Sequence, residues 1–184
     1  MGLKSSGRKV KRGKLKEESQ KERCKVNMLK YTDYDVVFQE VPDEVTLAIN
    51  LSNCPHRCPG CHSPQLQDNI GKELDEAALS RLIKVYENAI TCICFMGGDA
   101  SADEVMALAA YVRENWNGAI KTAWYSGNQS LNEKGLPLFD FIKVGPYVES
   151  LGGLNRETSN QRLYRIINGQ PTDITFKMRD KSGK

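Results

Sequence analysis

The chain has 184 residues, enough for one domain with a hydrophobic core and too few for two domains of ordinary size. Residues 1–27 carry ten Lys/Arg and three Glu, a net charge of +7, whereas the rest carries sixteen basic and twenty acidic residues, a net of −4. An acidic domain behind a basic tail does not have the charge pattern of a nucleic-acid-binding protein, and no apolar run is long enough to span a membrane.

The basic stretch over residues 1–27 is dense in charge and has no apolar periodicity, so we predict a disordered tail there and one domain over residues 28–184. The tail is either a dispensable extension or a weak electrostatic contact for an acidic partner or nucleic acid. It lacks the apolar segment of a secretory signal, and its lysines and glutamates do not fit a transit peptide. We therefore expect a cytoplasmic protein, with neither a membrane nor a nucleic acid as its partner.

The first half of the domain predicts three strands and a helix. Residues 31–41 are rich in β-branched and aromatic side chains, and residues 45–51 form a short apolar run typical of a buried strand. Over residues 74–89 the apolar side chains recur at four-residue spacing, which predicts an amphipathic helix. Residues 91–96 are apolar on both faces, as in a central strand of a parallel sheet.

The second half continues the alternation of helices and strands. A second helix is predicted from the apolar stripe Val105, Leu108, Ala109, Val112 and Trp116, and further strands are predicted at residues 119–125, 139–144 and 162–167. This order predicts an α/β fold with a parallel sheet and right-handed crossovers. A closed eightfold barrel needs roughly 200 residues or more, so we expect an open, partial (βα) barrel with its chemistry at the C-terminal ends of the strands.

Three of the six cysteines lie within eight residues, directly after the strand predicted at residues 45–51. The segment reads Cys54-Pro-His-Arg-Cys58-Pro-Gly-Cys61, and its prolines and Gly60 suit a chain that wraps around a metal centre. Clustered thiolates select zinc or iron–sulfur. A closed [4Fe–4S] site uses four cysteines, so three would leave one iron open to a substrate or cofactor.

A structural zinc site is the alternative at this loop. It needs a fourth ligand, which His56 or His62 could supply, although no second pair of cysteines has the spacing of a zinc-binding turn. Cys92 and Cys94 lie two apart in an apolar strand, and we interpret them as buried structural cysteines. His56 is expected to point into solvent from the tip of the loop.

The spacing Cys-x₃-Cys-x₂-Cys, followed after one helix and one strand by Gly97-Gly98-Asp99, resembles the radical S-adenosylmethionine (SAM) superfamily. The resemblance implies an open partial barrel of the radical SAM type, and a [4Fe–4S] cluster on Cys54, Cys58 and Cys61 whose remaining iron binds SAM. It further implies that Gly97, Gly98 and Asp99 hold the methionine end of SAM. Gly60 and His62, which flank the third cysteine, and Ser126 are the other implied cofactor contacts, and no catalytic acid or base is predicted.

Three segments resemble the activating protein of anaerobic (class III) ribonucleotide reductase: Cys58-Pro-Gly-Cys-His62, Trp124-Tyr-Ser-Gly127 and Ser159-Asn-Gln-Arg162. That resemblance implies an enzyme that cleaves SAM reductively and generates a glycyl radical on anaerobic ribonucleoside-triphosphate reductase, with an external electron donor such as flavodoxin. Two family elements, Gly-Pro-Gly-x-Arg and Asp-Gly, are absent here, because the corresponding positions are residues 39–44 and Val144-Gly145. The alternatives are a radical SAM enzyme that modifies a small molecule, and a non-catalytic zinc-binding module that holds nucleic acid with its basic tail.

Overall fold

The computed structural model describes residues 28–179, so the tail predicted over residues 1–27 lies outside the described part of the chain. In chain order the strands and helices are β1 Lys30–Val37, β2 Thr46–Leu51, β3 Lys72–Glu73, α1 Glu76–Tyr86, β4 Cys92–Met96, α2 Ala102–Asn115, β5 Lys121–Tyr125, β6 Phe141–Val144, β7 Arg162–Ile167 and β8 Gln170–Asp173. Among residues 28–179, no helix has the length and apolar character that crossing a bilayer requires.

All of these strands form one mixed sheet in the order β3-β1-β2-β4-β5-β6-β7-β8. The central strands β2, β4, β5 and β6 are parallel. The outer pairs are antiparallel: β1 with β2 and β3, β6 with β7, and β7 with β8. The predicted α/β fold, an open partial (βα) barrel of the radical SAM type with a parallel sheet, is therefore wrong, because the described residues form an eight-stranded mixed sheet with two α-helices.

The lengths of the connections explain the antiparallel pairs. Parallel neighbours need a crossover of a dozen or more residues, and the segments that contain α1 and α2 provide two of these. By contrast, β7 and β8 are joined by Asn168 and Gly169 alone, both with positive φ (52° and 73°), as a tight hairpin turn requires. The segment 38–45 between β1 and β2 contains no helix, so these strands also pair as antiparallel neighbours.

The two helices pack on one face of the sheet. α1 buries Ala78, Leu79, Leu82 and Ile83, and α2 buries Val105, Met106, Leu108, Ala109 and Val112. These side chains join Ile93 and Phe95 of β4 in one hydrophobic cluster. Cys92 and Cys94 alternate with them along the strand and belong to a second cluster, on the other face. Both thiols are fully buried, and burial raises the pKa of each, so the prediction of buried structural cysteines is confirmed.

Candidate functional site

The four parallel strands end at one edge of the sheet, where the polar segments that follow them meet. The register aligns Asn50 of β2 with Met96 of β4, Met96 with Tyr125 of β5, and Tyr125 with Lys143 of β6. The segment with the three cysteines follows β2, Gly97-Gly98-Asp99 follows β4, and Ser126 follows β5. Parallel pairing thus brings together chain segments that are far apart in sequence.

The cysteine loop, residues 54–61, is anchored at its base by the short turn Pro64–Gln67 and the residue after it. The amide of Asn53 donates to the carbonyl of Asp68, and the amide of Cys54 donates to that of Leu66, both at 2.9 Å. Within the loop, the amide of Cys61 donates to the carbonyl of Cys58 at 3.2 Å, while Gly60 between them has a φ of +71°. The loop therefore turns back on itself between its second and third cysteines.

The three loop cysteines have the chemistry of iron–sulfur ligands. Cys54, Cys58 and Cys61 are free thiols and half-buried, so their sulfurs are neither locked in the core nor used in a disulfide. No group of three or more His, Cys, Asp or Glu side chains within residues 28–179 is arranged around a single metal ion. In a [4Fe–4S] cluster each thiolate binds a different iron, and the donor set of three thiols on one short loop fits such a cluster.

Gly97 and Gly98 turn the chain sharply after β4. Both have positive φ, 102° and 85°, and the Gly97 amide donates to the carbonyl of Tyr125 at 2.9 Å. The indole of Trp124 donates to the Gly97 carbonyl at 2.7 Å. A Cβ on Gly98 would lie 2.5 Å from Val105 of α2 and 2.8 Å from Leu51 of β2. The turn is thus packed between strand and helix, and it sets the position of Asp99.

Asp99 has a buried carboxylate whose side chain is 3 % exposed. Its Oδ1 accepts hydrogen bonds from Ser126 Oγ at 2.6 Å and from Asn128 Nδ2 at 3.1 Å. Its Oδ2 accepts a bond from the Gly127 amide at 2.8 Å and contacts His56 Nε2 at 2.8 Å. The structure therefore brings two of the predicted site residues, Asp99 and Ser126, into direct contact.

His56 connects the cysteine loop to this carboxylate. Its side chain is 21 % exposed, and a Cβ on Gly127 would lie 2.3 Å from the imidazole ring. The expectation that His56 points into solvent is therefore wrong, because the ring lies between Asp99 and the backbone of Gly127.

Lys143 adds a buried positive charge at the same edge. This β6 side chain is 8 % exposed, and its ammonium donates to the carbonyls of Gly145 at 2.7 Å and Ser126 at 3.4 Å. Burial lowers the pKa of Lys143 to about 8, while the charges of Asp99, Cys58 and Cys54 act in the opposite direction. The lysine thus interacts electrostatically with both the cysteine loop and the carboxylate of Asp99.

The connection from β6 to β7 packs against the residues on either side of the third cysteine. The ring of Tyr147 packs on His62 with a centroid distance of 4.9 Å, and a Cβ on Gly60 would lie 2.9 Å from the carboxyl carbon of Glu149. The motif at residues 159–162 supports this connection, because Gln161 donates to the Gly145 carbonyl at 3.3 Å. Gly60 and His62 accordingly lie against this connection.

Sequence reasoning missed three features of the site: His56 as a partner of Asp99, Asn128 as a donor to it, and Lys143. For Lys143 a signal was present, because a single charged residue interrupts the apolar strand Phe141–Val144. For His56 and Asn128 no local signal existed, since their partner Asp99 follows a different strand, β4.

A family model described as a 4Fe-4S single cluster domain matches residues 45–167. The matched range runs from the residue before β2 to the end of β7 and so contains the whole of the site described above. Searches of curated proteins and of solved structures found no match to the chain.

Proposed function

The chain belongs to the family of 4Fe-4S single-cluster domains, and we propose that it is a radical SAM enzyme whose radical SAM domain spans residues 28–184. The observation that carries the proposal is the placement of a three-cysteine loop beside the Gly97-Gly98-Asp99 turn at neighbouring parallel strand ends. Three thiolates leave one iron of a cluster without a protein ligand. The nearby buried carboxylate and glycine backbone suit the amino end of an amino-acid-containing ligand.

In this proposal Cys54, Cys58 and Cys61 ligate the cluster. Gly97, Gly98 and Asp99 contact the methionine part of SAM, and Gly60, His62 and Ser126 lie around it. When bound, the cluster supplies the electron that splits the sulfonium of SAM into methionine and a 5′-deoxyadenosyl radical.

The chain's own groups prepare the site electrostatically. Lys143 places a positive charge near the cysteine thiolates, which offsets the negative charge that gathers there. Asp99 is kept in one orientation by Ser126, Gly127 and Asn128, so its negative charge is fixed in place without reorganisation.

We further propose that the protein substrate is anaerobic ribonucleoside-triphosphate reductase, on which the enzyme would generate a glycyl radical with an electron donor such as flavodoxin. This proposal is supported by the sequence resemblance of Cys58-Pro-Gly-Cys-His62 and of residues 159–162. In the structure, Gln161 of the second segment holds the connection from β6 to β7, which packs against the cysteine loop. Thiol ligands of this kind require a reducing compartment, so we propose a cytoplasmic location.

The test is reconstitution under nitrogen with iron, sulfide and a reductant, followed by addition of SAM. We expect about four irons and four sulfides per chain, as a [4Fe–4S] cluster requires, and release of methionine and 5′-deoxyadenosine. A Cys58→Ala variant should lose both the cluster and SAM cleavage. Cys24→Ala, which removes a cysteine outside the loop, is the matched control and should keep both.

Each alternative function has its own outcome in this experiment. Bound zinc without sulfide would overturn the enzyme proposal and favour a zinc-binding module. In a second arm the reductase is added to the reconstituted protein. SAM cleavage that leaves no glycyl radical signal on the reductase in electron paramagnetic resonance would then support a radical SAM enzyme and reject the activase role.

A further inference from the structure

The four hydrogen-bonding positions of the Asp99 carboxylate are all occupied. A carboxylate offers about four lone-pair sites, two on each oxygen. Ser126 and Asn128 fill those of Oδ1, while Gly127 and His56 fill those of Oδ2. An ammonium group of a ligand would be a fifth donor, so it can bind Asp99 only by displacing one of these four.

Three of the four donors belong to the segment Ser126–Asn128, which follows β5. Ser126 follows β5, and its amide donates to the Lys143 carbonyl at 2.9 Å. Asn128 is held by a bond from its amide to Ser126 Oγ at 3.0 Å and by its carbonyl, which accepts the Gly145 amide at 2.6 Å. Displacing the Gly127 amide would break this backbone network, and moving Ser126 Oγ would also break its bond with the Asn128 amide. The Asn128 side chain can rotate away without breaking these bonds.

The fourth donor is different. His56 comes from the cysteine loop and reaches Asp99 only through its side chain, which a rotation about its own torsions can withdraw. Among the four donors it is the one that comes from the cysteine loop, so it lies on the side from which a ligand bound at the cluster would reach Asp99.

We propose that His56 is an internal competitor for the ammonium site on Asp99, and that binding of an amino-acid-containing ligand requires the imidazole to leave. The inference rests on the proposed function, since it takes the amino group of SAM as the ligand. It assigns His56 neither to the cluster nor to the bound cofactor, because the ring ties the cysteine loop to the carboxylate at the end of β4.

Two independent substitutions remove the competitor. His56→Ala deletes the ring, whereas Gly127→Ala keeps it and places a Cβ where the ring now lies, 2.3 Å from its nearest atom. The Gly127 amide still donates to Asp99 in that variant. Gly118→Ala is the matched control for a glycine substitution, because a Cβ there meets no atom within 4 Å.

The experiment measures SAM affinity by calorimetry on the reconstituted protein without reductant, so that SAM stays intact. Both His56→Ala and Gly127→Ala should bind SAM about tenfold more tightly than the wild type, which corresponds to the loss of one hydrogen bond to a charged group. The double variant should bind no more tightly than either single variant, since both act on one contact. Gly118→Ala should match the wild type.

Unchanged or weaker SAM binding by His56→Ala and Gly127→Ala, with iron and sulfide contents equal to the wild type, would overturn the competitor role and leave the proposed function intact. Loss of the cluster in His56→Ala would show instead that His56 supports the loop, and would also overturn it. If neither the wild type nor any variant binds SAM despite a full cluster, the proposed function fails as well.

Discussion

At the scale of single residues, the burial of the charged group of Lys143 carries a free-energy cost that depends on pH. Its ammonium lies inside the sheet edge, with two backbone carbonyls as hydrogen-bond acceptors and the charges of Asp99 and the loop cysteines nearby. Transfer of an ammonium group from water to such a site disfavours its charged form, which is why burial lowers the pKa from 10.5 to about 8.

This shift predicts how the stability of the iron-free protein depends on pH. The unfolded chain keeps the proton of Lys143 up to about pH 10.5, whereas the folded chain releases it near pH 8. The penalty of burial is therefore complete below pH 8 and is relieved between pH 8 and 10.5. Relative to Lys143→Met, the wild type should gain roughly 3 kcal/mol of unfolding free energy over this range, since one pKa unit corresponds to about 1.4 kcal/mol.

Urea denaturation at a series of pH values measures this difference. Lys84→Met, at an exposed position of α1, controls for the loss of a lysine as such. A stability difference between the wild type and Lys143→Met that stays flat from pH 7 to 10.5 would show that Lys143 keeps an ordinary pKa in the fold.

The site residues that could be predicted from the sequence are those that belong to motifs with a fixed spacing. The cysteine loop and Gly97-Gly98-Asp99 could be placed at strand ends because each follows an apolar run, and the structure puts them there. The contact of His56 with Asp99 joins residues 43 positions apart. Only the pairing of β2 with β4 determines that contact, so no local pattern could predict it.

At the scale of elements, the turn from β4 to α2 is a tightly packed link in the site. Gly98 has a φ of +85°, and a Cβ there would approach Val105 and Leu51 within 2.8 Å. Gly118, before β5, has a similar φ of +75° but open space around it. The two positions thus separate the cost of the backbone conformation from the cost of crowding.

We expect Gly118→Ala to lower the unfolding free energy by about 1–2 kcal/mol, the cost of the left-handed conformation for a residue with a Cβ. Gly98→Ala should lose a further 1–3 kcal/mol, roughly, because the extra methyl group also overpacks the core. Chemical denaturation of both variants beside the wild type measures the two losses. Equal losses would mean that the strand and helix make room for the methyl group, contrary to this prediction.

Six of the strands and both helices were predicted close to where the structure has them, because apolar periodicity determines which segments can be buried. The helix predicted at residues 74–89 is observed as Glu76–Tyr86, and the strand at residues 162–167 as Arg162–Ile167. The strands Lys72–Glu73 and Gln170–Asp173 were missed, since their side chains are exposed and carry no apolar pattern. The Asn168-Gly169 turn was the available signal for the second of these.

At the scale of the whole molecule, the direction of strand pairing was the part that the sequence did not determine. Alternating strands and helices indicate parallel neighbours, which holds for β2, β4, β5 and β6. The outer strands have no intervening helix, and they pair antiparallel on both sides of this group. The cysteine loop and Gly97-Gly98-Asp99 follow strands of the parallel group, so their location at the C-terminal strand ends could be predicted although the barrel was not.

The sheet also has an opposite edge, where the parallel strands begin and where a second buried carboxylate joins them. Glu44, which precedes β2, accepts a hydrogen bond from Thr91 Oγ1 at 2.6 Å and forms an ion pair with Lys121 of β5. Its side chain is 5 % exposed, whereas that of the neighbouring Asp43, paired with Lys177, is 76 % exposed. Glu44 thus links the starts of three strands, far from the cysteine loop.

Because the two edges are held by separate sets of contacts, stability and ligand binding should respond separately to substitutions. Glu44→Gln should lower the unfolding free energy by about 1–3 kcal/mol, since it weakens a buried hydrogen-bonded ion pair, while iron content and SAM affinity of the folded protein stay at the wild-type values. Asp43→Asn is the matched control and should leave the unfolding free energy, the iron content and the SAM affinity unchanged, because an exposed ion pair contributes little.

Thermal unfolding, iron analysis and calorimetry on the same preparations measure these three quantities. A loss of SAM affinity in Glu44→Gln at full iron content would show that the two edges are coupled through the parallel strands, against the independence that their separate contacts predict.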